Sequence, residues 1–128
     1  MPNKIYFWLA LIWTFVIAVL CLVSFSDVPK VNLQGADKYV HFTFHFVFIW
    51  LWFLHFKSRK NDLGKAKTIF LVFLMSFLYG ISVEIMQGLF TATRKADLMD
   101  VLANTTGALT AVIAIVVYQK YIAKEKSL

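Results

Sequence analysis

Four apolar runs, each separated from the next by a short polar stretch, decide what this chain can fold into. They are Ile5 to Phe25, Tyr39 to Phe56, Ile69 to Phe90 and Val101 to Tyr118. A bilayer's hydrocarbon core, about 30 Å thick, takes roughly 20 residues of helix at about 1.5 Å each. No water reaches the backbone there, so each run has to close its own hydrogen bonds as a helix. Composition agrees: 60% of residues are hydrophobic and 16% charged, against about 45–50% and about 25% in soluble domains. The 128 residues are enough for one small bundle and not for two domains. The expected fold is all-α, a four-helix transmembrane bundle forming a single domain over 1–128, with helices at about 5–25, 39–56, 69–90 and 101–118.

The first run follows Lys4 and could be mistaken for a secretory signal, but at 21 residues it exceeds the roughly 7–15 of a signal's apolar core. Ser24-Phe25-Ser26 is also a poor cleavage site, so the run is read as a retained span. The only cysteine, Cys21, excludes an internal disulfide and is read as a small core or lipid-facing residue.

The net charge of +6 does not point to nucleic acid, because the cations sit at the ends of the apolar runs, where they set topology and meet anionic lipid. Lys4, the stretch from Lys57 to Lys67 and the tail together hold nine Lys and Arg. The other two connections hold four: Lys30, Lys38, Arg94 and Lys95. The positive-inside rule then places both termini and the middle connection in the cytoplasm. The expected location is the inner, cytoplasmic membrane, crossed several times, with membrane lipids as the first partners.

Within this frame Glu84 stands out. A carboxylate inside an otherwise apolar span is costly and rare, and by default marks a functional site with a partner. Glu84 lies six residues before Phe90, roughly 9 Å below that end of the span. The same topology brings Asp37, Lys38, His41 and His45, which open the second run, to the outer end. It also brings Gln87, and Arg94, Asp97, Asp100 and Asn104 around the start of the fourth run. Asp37, His41 and His45 are four apart and share a face; so do Ser76, Gly80, Glu84 and Gln87, and so do Asp97, Asp100, Asn104, Gly107 and Ala111. The second, third and fourth helices are therefore expected to turn these stripes towards one another, with the first as a brace. The cluster stops about a third of the way across, so no continuous transport path is visible.

These residues, in this order, resemble the VanZ-like family of small integral membrane proteins. The resemblance rests on Asp37-Lys38-x-x-His41-Phe42, on Glu84-x-x-Gln87, and on Arg94-x-x-Asp97-x-x-Asp100-x-x-x-Asn104-x-x-Gly107. It covers roughly Asp37 to Gly107. The family is named for a protein associated with low-level resistance to the glycopeptide teicoplanin, so the resemblance implies a role at the cell envelope.

Two readings of the polar residues follow. In the first they form a site for an anionic, lipid-linked envelope precursor or a glycopeptide-related ligand. Glu84, His41 and Asp100 are then the candidate catalytic residues, doing proton chemistry. Arg94 and Lys38 hold the anion, with Asp37, Gln87, Asp97 and Asn104 as further ligand-binding candidates. In the second, Glu84 pairs structurally with Arg94 or Lys38, Asp97 or Asp100 caps a helix, and the cluster only holds a non-catalytic, partner-binding module together. His41 and His45 at i,i+4 would suit a divalent metal completed by Glu84 or Asp100. Only His41 falls in the family-like motif, however, and no metal or other cofactor is assigned.

Overall fold

The computed structural model describes residues 2–22, 36–59, 64–90 and 96–128. Four helices make up nearly all of it: α1 (Pro2–Leu22), α2 (Ala36–Ser58), α3 (Lys65–Phe90) and α4 (Leu98–Ser127). Each is long and apolar enough to cross a membrane. Most helix ends lie beyond the ends of the apolar runs, because hydropathy marks the part that suits lipid while helix propensity continues into the flanks. Pro2 is tolerated at a first helical position, where its missing N–H has no partner to lose. Asp37 in the first turn of α2 and Lys124 and Lys126 in the last turn of α4 complement the helix dipole. At 30 residues, α4 is about 45 Å long and outruns a hydrocarbon core of about 30 Å.

The helices alternate in direction, as cross-helix contacts show. Near Asn3, the start of α1 meets the end of α2, where His55 Nδ1 donates to the Asn3 carbonyl at 3.3 Å. The ends of α1 and α3 lie together: Gln87 Nε2 donates to the Cys21 carbonyl at 2.7 Å. The start of α4 joins that same end of the bundle, with Asp97 N–H on the Glu84 carboxylate. Helix α2 is central, packed against α1, α3 and α4; α3 also touches α1 and α4, while α1 and α4 do not meet among the described residues.

Two apolar clusters fill the inside. Ile49, Phe53, Val72, Ala108, Ala111 and Ile115 join α2, α3 and α4. Ile17, Cys21, Phe44, Phe48 and Val83 join α1, α2 and α3 nearer the polar end. Phe15, Phe70, Leu89, Ile113 and Val117 stand exposed on the outside, as a surface that meets lipid would. The bracing of α1 is partly polar. Trp13 Nε1 donates to the Phe44 carbonyl at 2.9 Å, Trp52 Nε1 to Thr14 Oγ1 at 3.1 Å, and the Tyr79 hydroxyl to the Thr14 carbonyl. Where α2 crosses α4, Gly107 lies directly on the Phe42 backbone. A Cβ there would overlap the Phe42 carbonyl, so only glycine allows this approach.

Candidate functional site

The end of the bundle where α2 begins, α3 finishes and α4 begins carries a buried polar layer. The inward stripes follow the expectation except at their outer ends, where Asp37 stays exposed and Asp97 half-exposed: Ser76, Gly80, Glu84 and Gln87 are buried on α3, and Asp100, Asn104, Gly107 and Ala111 on α4. His41 and His45 are buried on α2.

Lys38 is the hub on the open side of the layer. Its Nζ donates to Asp97 Oδ2 at 2.7 Å and to Asp100 Oδ1, and lies 3.2 Å from Asp37 Oδ2. Asp97 is the N-cap of α4, in extended backbone geometry, with Oδ1 accepting from Met99 N–H at 2.9 Å. The Lys38 ammonium, helped by that N–H, holds the Asp97 carboxyl below the usual carboxylate range.

Deeper in, His41 Nδ1 donates to Asn104 Oδ1 at 3.0 Å, while its Nε2 faces Asp100 Oδ2 at 3.5 Å. Glu84 reaches the same place from α3. Its Oε2 accepts from Asp97 N–H at 3.1 Å, and its Oε1 is buried with no hydrogen-bond partner among the described residues. Ligand atoms of His41, Glu84 and Asp100 all lie within 4.8 Å of one another. The three residues named as proton-handling candidates thus come from three helices to one point.

The other candidates fall around this core. Asp37, Lys38, Asp97 and Asn104 border it through the bonds above, while Gln87, fully buried, is turned towards α1 and the Cys21 carbonyl. Arg94 lies outside the described residues. Among those described, Glu84 has no ion pair, and the cation nearest in sequence logic, Lys38, is engaged by the three aspartates instead. The i,i+4 histidines part company: His45 Nδ1 sits 2.7 Å from Ser76 Oγ, one turn deeper than His41. Ser76 as the partner of His45 was not foreseen; its place on the Glu84 stripe, eight residues earlier, was the available signal. Asn104 bonds across helices to His41, whereas its neighbour Thr105 donates within α4 to the Val101 carbonyl at 2.8 Å.

Chemically, this layer offers carboxylates and an imidazole able to exchange protons or bind a cation. Comparison with known proteins adds a family: residues 3–119 match the model described as VanZ/LLP1. No curated protein and no solved structure matches the chain.

Proposed function

Since the chain belongs to the VanZ/LLP1 family and has four helices able to cross a membrane, we propose that it is a multi-pass protein of the cytoplasmic membrane whose polar layer faces the cell envelope. Both termini lie in the cytoplasm, following the nine-to-four distribution of Lys and Arg in the sequence. The layer receives an anionic, lipid-linked envelope molecule, and through it the protein contributes to low-level tolerance of teicoplanin. Glu84, His41 and Asp100 handle protons at the bound molecule, with Asp37, Gln87, Asp97 and Asn104 around it. Arg94 grips the anion. Lys38 can do so only by giving up one of its carboxylates, so it is the weaker of the two cations.

The observation that carries this reading is Glu84: 3% exposed, inside a helix long and apolar enough to cross a membrane, with one oxygen unsatisfied among the described residues. A purely structural acid would be expected to use both oxygens, since a buried acceptor left unpaired costs about 1–3 kcal/mol. An apolar groove of about 650 Å³ between α1 and α3, lined by Trp8, Phe15, Ala18 and Tyr79 among others, could take an acyl chain of the same ligand.

A second reading, a non-catalytic module whose polar layer only fixes the bundle, is favoured by how much of the layer is satisfied internally: Lys38 by three carboxylates and His41 by Asn104. The two separate in a deletion strain carrying wild-type or Glu84→Gln protein, scored for teicoplanin susceptibility with membrane abundance checked by blot. The carboxamide of the variant keeps an acceptor for Asp97 N–H, so abundance should hold while tolerance disappears. Full tolerance with the variant at equal abundance would leave the structural reading standing.

A further inference from the structure

We infer that His41, Glu84 and Asp100 form a binding site for one divalent first-row cation, of the Zn²⁺ or Mn²⁺ kind. One imidazole and two carboxylates make a borderline-hard donor set that such ions accept, and three protein ligands leave an open coordination position.

The distances suit an ion. Two donors bound to one tetrahedral cation at about 2.0–2.1 Å lie about 3.3 Å apart, and His41 Nε2 and Asp100 Oδ2 are separated by 3.5 Å. All three donors are within 4.8 Å of one another, so Glu84 needs only a small side-chain adjustment to join them.

The hydrogen-bond roles set lone pairs facing one another. A carbonyl oxygen can only accept, so the contact with Asn104 Oδ1 puts a hydrogen on His41 Nδ1. In the neutral ring Nε2 then presents a lone pair, and it presents it to a carboxylate oxygen, which also has only lone pairs to offer. Something positive has to lie between them. A proton on Nε2 would serve that pair alone. It would leave Glu84 Oε1, on a side chain 3% exposed, still without a partner among the described residues. A cation bound by all three residues would engage Nε2 and Oδ2 and give the Glu84 carboxylate a further partner.

Each donor residue is also held from behind, as metal ligands usually are. Asn104 fixes the His41 ring, Lys38 holds the other oxygen of Asp100, and Asp97 N–H holds the other oxygen of Glu84.

The inference uses the same three side chains as the envelope-ligand reading and gives them metal binding in place of proton handling, and its test reads metal directly. Purified full-length protein in detergent is loaded separately with Zn²⁺, Mn²⁺ and Co²⁺, desalted, and assayed for metal by mass spectrometry. About one ion per folded chain is expected with at least one of them. His41→Ala, Glu84→Gln and Asp100→Asn should each lower retention tenfold or more, and His55→Ala, at the opposite end, should leave it unchanged. Wild-type protein that retains none of the three ions overturns the inference, as does retention unaffected by His41→Ala and Glu84→Gln. Should the variants fail to fold, the visible spectrum of the Co²⁺-loaded wild type decides. Bands of a low-coordinate nitrogen and oxygen site support the assignment, and the weak spectrum of a hydrated ion refutes it.

Discussion

Replacing Lys38 by methionine tests whether the polar layer is knitted by charge. Methionine keeps most of the apolar stem and removes the ammonium. The three carboxylates around Nζ differ in exposure, and that sets the size of the effect. The Asp37 side chain is 62% exposed and its pair is worth about 0–1 kcal/mol. Asp100 is only 11% exposed, and losing a charge-assisted bond to a group this buried costs about 1.5–3 kcal/mol. The expected loss is therefore about 2–3 kcal/mol at neutral pH, read by reversible unfolding in mixed SDS micelles with tryptophan fluorescence. The pH dependence adds a second signature through Asp97, whose carboxyl Lys38 holds below its ordinary range. A group with a lowered folded value contributes stability that is fully present above its unfolded value and lost as pH falls through the folded one. The gap between wild type and Lys38→Met should accordingly be widest near neutrality and close on acidification through the carboxylate range. Equal stability at pH 7, or a gap that does not change with pH, would mean that the Lys38 ion pairs contribute nothing to holding α2 to α4.

Gly107→Ala should destabilise by about 1–3 kcal/mol in the same assay, because the new Cβ lies 2.9 Å from the Phe42 carbonyl carbon and Cα and overlaps the oxygen. A variant as stable as wild type would contradict the close α2–α4 crossing. The proposed orientation predicts that, in a background where Cys21 is replaced by alanine, a cysteine at Asn32 reacts with an external impermeant thiol reagent and one at Asn61 does not. The reverse pattern would turn the bundle over and put the polar layer in the cytoplasm.

The four spans were legible because hydropathy and helix length answer to one solvent, the bilayer, and that constraint acts on every residue of a run. The inward faces were legible for a related reason. Once Glu84 must avoid lipid, Ser76, Gly80 and Gln87 are carried inward with it by helical spacing. What the chain did not disclose was who bonds to whom. Lys38 could have served Glu84 or the aspartates. The choice fell to the aspartates because the start of α4 runs beside the start of α2, placing Asp97 and Asp100 within reach of Nζ while Glu84 comes across from α3. His41 and His45 share a face in sequence, yet one turn of helix separates an acidic neighbourhood from a neutral one, so His41 meets Asp100 and His45 meets Ser76.

The same limit explains why i,i+4 spacing was a poor guide to which donor groups cluster here. Spacing within one helix describes ligands that come from that helix, as in a His-x-x-x-His pair. At an end shared by three helices, the donors arrive one from each, and their sequence separation carries no trace of the meeting. His41, Glu84 and Asp100 are 43 and 16 residues apart, yet their donor atoms lie within 4.8 Å of one another. What the sequence does carry is the reason they cannot separate. Gly107 fixes the depth at which α4 crosses α2, and so fixes where Asn104 and Asp100, one and two turns earlier, face His41. A change at Gly107 should therefore disturb the His41 ring and the carboxylates without touching either, and this residue binds the packing of the bundle to the chemistry of its polar end.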